Sequence, residues 1–327
     1  MQIKRLHPLY LRLSSVLIKK NEVIDMTTLQ NIVDEIDLQD EHAVAVAAAA
    51  DHAVMEAISL ALDQNLASFH LYDDEATLKQ LIADEFPHLK GHPKLMIHHV
   101  KGPQLAAKEA VRAVFMNDAS VLMKGHIPTA TLMKAALNSD YGLRTGSVLS
   151  HVAAFEVDGY DRLIFVTDAG MNLEPSLQEK AQIIRNAVQV ARSTGVELPI
   201  VAALAAVEVV NPAMQATLDA AALTAMNKRG QITDCIVDGP LALDNAVSVE
   251  AAKHKRIEGD TAGHADILLV PNIEAGNILY KSLVYFSKAK VGGIIAGAKA
   301  PIVLTSRADS AESKLFSLAL ALRSATL

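Results

Sequence analysis

Cysteine is nearly absent from this 327-residue chain, and tryptophan is absent altogether. The one cysteine, Cys235, cannot form a disulfide within the chain, and no zinc site built from several cysteines is available. A chain of this kind fits a reducing cytoplasm, where we expect the protein to be located. Because Cys235 lies in the apolar run DCIVDG, we expect it to be buried as a small hydrophobic side chain.

Basic clusters and long apolar runs are missing as well. Lys and Arg number 30 against 37 Asp and Glu, which gives a formal charge of −7, and aromatic residues make up only 4%. Proteins that hold nucleic acid through phosphate contacts or stacked bases need more basic and aromatic surface than this. No uninterrupted run of about 18 apolar residues occurs, so no membrane-spanning helix is expected. We therefore expect neither nucleic acid nor a membrane as a partner.

The chain is long and apolar enough for two folded domains. Apolar residues make up 51% of it, and domains usually run to about 100–200 residues. Residues 1–25 share no pattern with the rest, and their basic and apolar residues are interleaved rather than arranged as in a signal peptide. Met26 opens a plausible start, MTTLQNIVDEI. We therefore interpret residues 1–25 as an extension or a misassigned start.

Helical and strand patterns alternate after this segment. Short apolar runs are separated by stretches with helical periodicity, which predicts an α/β fold with a mainly parallel sheet covered by helices on both faces. Asp158 and Gly159, between two apolar runs, predict a hairpin-like connection and a locally antiparallel sheet. The run LPIVAALAAVEVV (198–210) predicts a buried strand with Glu208 inside it. The turn-rich segment 139–147 is a candidate crossing between domains.

The loop LTSRADSAESK (304–314) is the first candidate site. Ligands of α/β sheets bind at the carboxyl ends of strands, and this loop joins a strand to a helix. Ser306, Arg307 and Asp309 lie in the turn, where helix amides and a guanidinium favour a phosphate. The alternative is purely structural: Asp309 or Ser310 caps the helix, and Glu312 completes a capping box.

Two further loops have the same strand-to-helix character. In VPNIEAGNILYK (270–281), Gly276 and Asn277 lie at the helix start, where a glycine allows a ligand to approach the backbone; the alternative is ordinary helix-start geometry. In LMKGHIPTATLMK (122–134), Lys124 ends a strand, and Thr129 or Thr131 is a candidate helix cap. A cation near such a helix start can bind phosphate, although a solvated lysine is the alternative.

Metal and hydrolase chemistry are poorly supported. The chain has 12 histidines, but no HExxH motif occurs. The adjacent His98 and His99 lie on a predicted strand, so they point to opposite faces and cannot easily share one ion. No GxSxG motif is present either. We therefore expect no protein-bound metal. Asp168, at a predicted strand end, remains a candidate polar group of another loop.

Five segments together resemble the phosphate acetyl/butyryltransferases. They are TSRADSAESK, PNIEAGNILYK, VEVVNPAM, DGPLALDNAVSVEAAKHKRI and VTDAGMN, and the likeness covers roughly residues 27–327. TSRADSAESK and the NPAM segment favour the butyryl branch. The resemblance implies two α/β domains with a cleft between them, as in the isocitrate and isopropylmalate dehydrogenases. Residues 26–143 plus 297–327 would form the first domain and residues 144–296 the second.

The resemblance also implies an activity: acyl-CoA and inorganic phosphate give acyl phosphate and CoA. This reaction needs no metal or redox cofactor, because CoA is a substrate. The family likeness further suggests a homo-oligomer. The residues expected to contact CoA or phosphate lie in the loops already described: Lys124, Gly125, Thr129, Lys134, Asn272, Gly276, Asn277, Ser310 and Ser313.

The identity of the catalytic base is the point at which this chain departs from the family. In the acetyl branch, a serine–arginine pair is followed, seven residues after the serine, by an aspartate that serves as the proposed base. Ser306 and Arg307 match the pair, but the position of the acid is Ser313. Asp309 and Glu312 are the substitutes, and we favour Asp309 because it lies in the loop. A phosphate-binding arginine of the acetyl branch aligns with Lys134, which keeps the charge but loses the bidentate fork.

The expected mechanism is a direct transfer. Arg307 and helix amides hold the phosphate, Ser306 hydrogen-bonds the thioester region, and a carboxylate exchanges the thiol proton. Because Cys235 is in none of these loops, nothing points to a covalent acyl-enzyme. The alternatives are a phosphate acetyltransferase and a non-catalytic protein that binds CoA or phosphate. A metal- and NAD-dependent decarboxylating dehydrogenase would need an aspartate cluster that the sequence lacks.

Overall fold

The computed structural model describes residues 27–36, 42–257, 259, 261–304 and 309–325. The predicted extension, residues 1–25, lies outside these ranges, as do Ser306 and Arg307. No helix among the described residues is long and apolar enough to cross a membrane.

The described residues alternate between strands and helices, as the sequence predicts. The strands are β1 (Ala43–Ala47), β2 (Ser68–Asp73), β3 (Leu95–His99), β4 (Val121–Lys124), β5 (Ser150–Glu156), β6 (Ile164–Thr167), β7 (Ile200–Leu204), β8 (Ile236–Leu241), β9 (Ile267–Leu269), β10 (Lys290–Ala296) and β11 (Ile302–Val303). The helices are α1 (Leu29–Asp34), α2 (His52–Asp63), α3 (Glu75–Glu85), α4 (Pro103–Phe115), α5 (Thr129–Ala136), α6 (Leu177–Ser193), α7 (Gln215–Lys228), α8 (Leu243–Val247), α9 (Val249–His254), α10 (Ile273–Tyr285) and α11 (Ala311–Ala325).

All of these strands form one sheet, in the order β3-β2-β1-β4-β11-β10-β5-β6-β9-β7-β8. At one end of this order, β3, β2, β1, β4 and β11 are mutually parallel, and at the other end β6, β9, β7 and β8 are mutually parallel. Between these two groups, β10 pairs antiparallel with both β11 and β5, and β5 pairs antiparallel with β6. The mainly parallel sheet and the antiparallel hairpin of β5 and β6 are therefore confirmed.

Side-chain caps explain where several helices begin. Asp51, Asp74, Ser248 and Asn272 each accept a backbone hydrogen bond at the start of a helix. At α6, Ser176 forms a complete capping box with Glu179. These side chains satisfy amides that have no partner within the helix, so the polar residue before each apolar pattern marks the boundary.

The two faces of the sheet are packed differently. One face carries a single continuous apolar cluster that includes Val44, Val152 and Ile294. The opposite face carries two separate clusters, one with Ile295 and one with Ala153. His151 pairs in register with Ile295 and lies two residues before Ala153 on β5, so its side chain is on the same face as both. His151 therefore lies where the two clusters meet.

The predicted strand 198–210 is too long. Strand β7 ends at Leu204, and Val209 and Val210 are exposed. Glu208 lies in the following loop, where its carboxylate is 3.3 Å from Nζ of Lys255 and accepts a hydrogen bond from Asn245. The prediction that Glu208 is inside a buried strand is wrong, because this loop has the apolar composition that is typical of a strand.

Cys235 is buried directly before β8 and free. Burial, with a smaller contribution from Asp234, raises the pKa of its thiol to about 11. Thiols react as thiolates, so this side chain is unreactive near neutral pH. The prediction of a buried, structural cysteine is confirmed.

Candidate active site

Residues from five parts of the chain converge near the boundary between the two apolar clusters. We call this group the central cluster; it consists of His151, Asp168, Tyr280, Gly293 and Asp309. His151 comes from β5, Asp168 follows β6, Tyr280 lies on α10, Gly293 lies on β10 and Asp309 precedes α11. The charges of Asp168 and Asp309 both act on His151, and Asp309 also acts on Tyr280. The strand pairing of β5 with both β10 and β6 is what brings these segments together.

The Asp168 carboxylate organises the loop after β6. It accepts hydrogen bonds from three backbone amides, those of Gly170 (2.9 Å), Met171 (3.0 Å) and Asn172 (3.0 Å). A fourth hydrogen bond comes from the side-chain Nδ2 of Asn172 (2.6 Å). The same Nδ2 donates to the carbonyl of Leu149 at 2.8 Å, which ties the loop to the start of β5. Asp168 is only 2% exposed. Its lone pairs are thus used by the protein, and it acts on the site mainly through its charge.

Helix α10 packs directly on this loop. Asn272 caps the helix by accepting from the amide of Ala275, and Nδ2 of Asn277 donates to the carbonyl of Ala169 at 3.4 Å. A Cβ atom at Gly276 would lie 2.7 Å from the carbonyl oxygen of Asp168. The space around this glycine is therefore filled by protein backbone, and the structural alternative for Gly276 is the one that its surroundings support.

Helix α10 contributes Tyr280 to the central cluster. Its ring centroid is 5.8 Å from that of His151 and 5.2 Å from that of Phe155. Burial, with a contribution from the Asp309 charge, raises the pKa of its hydroxyl to about 12. Tyr280 is therefore a neutral phenol at physiological pH.

No sequence motif singles out His151. Its Nδ1 is shielded from solvent and has no hydrogen-bond partner in the described parts of the chain. Burial lowers the pKa of the imidazole, while the charges of Asp168 and Asp309 oppose that shift. The only sequence signal was a histidine at an inward position of the apolar strand that begins SHVAAF.

Four residues predicted for the site lie at the start of α11: Asp309, Ser310, Glu312 and Ser313. Ser310 caps the helix: its Oγ accepts from the amide of Ser313 at 3.1 Å, and the two Oγ atoms are 3.1 Å apart. Glu312 is the second helical residue and exposed, so it cannot complete a capping box, which requires the third position. That part of the structural alternative is wrong. Lys314 is buried and donates to the carbonyl of Asp309.

Lys124 lies at the end of β4, next to β11, whose last residue precedes the loop of Ser306 and Arg307 in the sequence. Met123 pairs with Val303 of β11, so Lys124 is opposite the residue that enters this loop. Its side chain is 9% exposed, and Nζ donates to the carbonyls of Gly125 (3.2 Å) and Ile127 (3.4 Å). The cation is thus held at the carboxyl ends of β4 and β11, where the sequence places a phosphate site.

The remaining residues of this segment are more peripheral. A Cβ at Gly125 would lie 2.0 Å from the carbonyl of Ala48, so this glycine is needed for close strand packing. Thr129 is the first residue of α5 and exposed, while Pro128 holds the cap position without a side-chain hydrogen bond. Thr131 also lies within the helix, so the prediction that Thr129 or Thr131 caps α5 is wrong. Lys134 is exposed in the last turn of α5.

A cavity of about 470 Å³ lies away from the central cluster. It is formed near the start of β1 and β4 and the end of β10, and its lining includes Ala43, Ser120, Ala296 and Lys299. Its lining contains none of the predicted active-site residues that the structure describes. Within the described ranges, no group of three or more His, Cys, Asp or Glu side chains is placed to hold a metal ion.

Comparison with known proteins places this geometry in a family. The sequence profile of the family described as "Phosphate acetyl/butaryl transferase" matches residues 72–322. A "Probable phosphate butyryltransferase" of Bacillus subtilis is 56% identical over 90% of this chain and 97% of its own length. A "Phosphate acetyltransferase" of Thermotoga maritima is 46% identical over 85% of this chain and 93% of its own.

A solved structure agrees with these relatives. The crystal structure of a branched-chain phosphotransacylase from Enterococcus faecalis superposes with a TM-score of 0.77 and 37% identity, covering 87% of this chain and 99% of that one. The profile match, the relatives and the shared fold all extend over most of the chain. The chain belongs to the phosphate acetyl/butaryl transferase family.

Proposed function

We propose that the protein catalyses the reversible transfer of a short acyl group, butyryl or branched, from CoA to inorganic phosphate. The products are an acyl phosphate and free CoA. The observation that supports this most strongly is the 56% identity to a probable phosphate butyryltransferase across nearly the whole of that relative. The fold shared with a branched-chain phosphotransacylase supports the same acyl class.

The predicted residues have distinct roles in this reaction. Arg307, together with the amides at the start of α11, holds the phosphate and offsets developing negative charge. Ser306 hydrogen-bonds the thioester region. The buried cation of Lys124, at the end of the strand that pairs with β11, adds positive charge for the anionic substrates. Acyl-CoA and phosphate react directly when bound side by side, so the proposed reaction uses no metal, redox cofactor or acyl-enzyme.

A phosphate acetyltransferase is the second candidate. It is supported by the Thermotoga relative, which is 46% identical over 85% of this chain. The two activities share the same chemistry and differ in the length of the acyl group. Activity with acetyl-CoA above that with butyryl-CoA would favour this candidate.

We also propose that the protein works in the cytoplasm as a homo-oligomer. Helix α10 has an exposed apolar surface: Ile278 is 67%, Tyr285 62% and Phe286 87% exposed. Large apolar side chains that are this exposed and this close together commonly mark a protein–protein interface. An interface between identical subunits on α10 would lie on the same helix as Tyr280 of the central cluster.

The proposed activity is tested by mixing the protein with butyryl-CoA, isobutyryl-CoA or acetyl-CoA and following CoA release with and without phosphate. We expect phosphate-dependent release, fastest with a four-carbon acyl group. Absence of release with all three substrates would exclude the proposed function. CoA binding without phosphate-dependent release would instead support the non-catalytic alternative.

Arg307→Ala tests the phosphate site within this assay. We expect a loss in kcat, or a rise in the KM for phosphate, of about tenfold or more, because a bidentate donor to phosphate is removed. Arg307→Lys is the matched control: it keeps the charge and should recover part of the loss. Unchanged kinetics in Arg307→Ala would remove this residue from the site.

A further inference from the structure

The two ring nitrogens of His151 differ in their access to solvent. Neither makes a hydrogen bond within the described parts of the chain, but only Nδ1 is fully shielded. The side chain as a whole is partly exposed, so Nε2 is the nitrogen that remains open. A polar atom with no partner at the junction of two apolar clusters is costly for folding, which suggests that it serves another purpose.

Gly293 lies beside Nε2 of His151. A Cβ atom at position 293 would lie 2.9 Å from Nε2, and the glycine there avoids this contact. The backbone of Gly293 has no left-handed φ, so its conformation does not itself require glycine. The close approach of the His151 ring therefore explains why position 293 carries no side chain.

Two of the other ionisable groups around His151, Asp168 and Tyr280, are less suited to take up a proton. The Asp168 carboxylate already accepts four hydrogen bonds, and the hydroxyl of Tyr280 has a pKa of about 12. Asp309 acts on the ring through its negative charge, as Asp168 does. Burial holds the pKa of the imidazole below its usual value, so the ring is neutral and able to accept a proton, and the two carboxylates stabilise the imidazolium that forms.

We propose that His151, through Nε2, is the catalytic base that takes the thiol proton of CoA. This inference rests on the proposed function. When CoA attacks an acyl phosphate, Nε2 takes the S–H proton as sulfur bonds to the acyl carbon. The bond from that carbon to the phosphate oxygen then breaks, and the leaving phosphate takes the proton from the imidazolium. In the reverse direction, phosphate gives its proton to Nε2, and the departing thiolate receives it.

The pH dependence of His151→Gln is the decisive measurement. With butyryl phosphate and CoA, we expect kcat to fall about 100-fold or more near neutral pH, the upper part of the usual range for general-base catalysis. The deficit should shrink as the pH passes the thiol pKa, about 8.5 in an ordinary thiol, because CoA then ionises without a base. A purely structural role would leave the deficit the same at every pH.

His70→Gln is the matched control, because His70 is a partly buried histidine on β2, outside the central cluster. We expect its activity and pH profile to match the wild type. Affinity for CoA should be similar in all three proteins, which shows that His151→Gln is folded. A His151→Gln variant with wild-type rates and pH profile overturns the inference while the proposed function stands. A wild-type protein without turnover overturns both.

Gly293→Ala tests the same site without removing the histidine. The new methyl group would cover Nε2, so we expect kcat to fall about tenfold or more. In a His151→Ala background the contact no longer exists, and Gly293→Ala should cause no further loss. Strictly multiplicative effects of the two substitutions would contradict a shared action through Nε2.

Discussion

Lys180→Met is expected to lower the free energy of unfolding by about 3–5 kcal/mol, because it leaves a buried carboxylate without its counter-ion. Lys180 on α6 and Asp219 on α7 form an ion pair of 2.6 Å, with side chains only 7% and 10% exposed. Gln215 donates to the other carboxylate oxygen at 2.8 Å. Methionine has nearly the length of lysine, so the main loss is the charge. Equilibrium unfolding in urea measures the change.

The matched control is Lys79→Met. Lys79 and Glu75 form an ion pair of the same length, 2.6 Å, but their side chains are 66% and 46% exposed. Such a surface pair contributes about 0–1 kcal/mol. In addition, Lys180→Met combined with Asp219→Leu should recover most of the lost stability, since no charge is then left buried. Similar losses in the two single variants would show that burial of the Lys180 pair has little energetic effect.

Local patterns in the sequence predict the helices and strands well, but they do not predict which of these elements lie next to each other in space. Alternating apolar and helical stretches predicted the parallel strands, and Asp158 with Gly159 predicted the hairpin. The pairing of β5 with β10 joins segments about 140 residues apart along the chain, and no local pattern encodes it. This pairing sets Gly293 against His151, so the central cluster could not be predicted from the sequence.

The errors of prediction have local causes. Val209 and Val210 have the composition of a strand, yet they lie exposed in a loop. Thr129 is a typical capping residue, but Pro128 takes the cap position one residue earlier. The sequence does not mark His151 as a site residue, because a single histidine in an apolar strand is usually a packed core residue. In each of these cases, the neighbours of a residue in the fold, rather than its own type, determine its position and role.

Asp168→Asn is expected to lower the free energy of unfolding by about 3–5 kcal/mol, since hydrogen bonds to a charged acceptor contribute about 1.5–3 kcal/mol each. One oxygen can still accept from Gly170 and Met171, but the new NH₂ group faces the two donors of Asn172. Leu149 would then lose its link to the loop as Asn172 moves. Urea unfolding of this variant measures the loss, with Asp161→Asn, on the exposed loop between β5 and β6, as the control.

The same variant also tests the electrostatics of the central cluster. The negative charge of Asp168 raises the pKa of His151 against the effect of burial, so removing that charge lowers the pKa further. The acid-side limb of the pH–rate profile, measured with acyl phosphate and CoA, should therefore move to lower pH in Asp168→Asn. Asp161 does not act on His151, so Asp161→Asn should leave the limb unmoved. A shift to higher pH, or the same shift in both variants, would contradict the electrostatic link between Asp168 and His151.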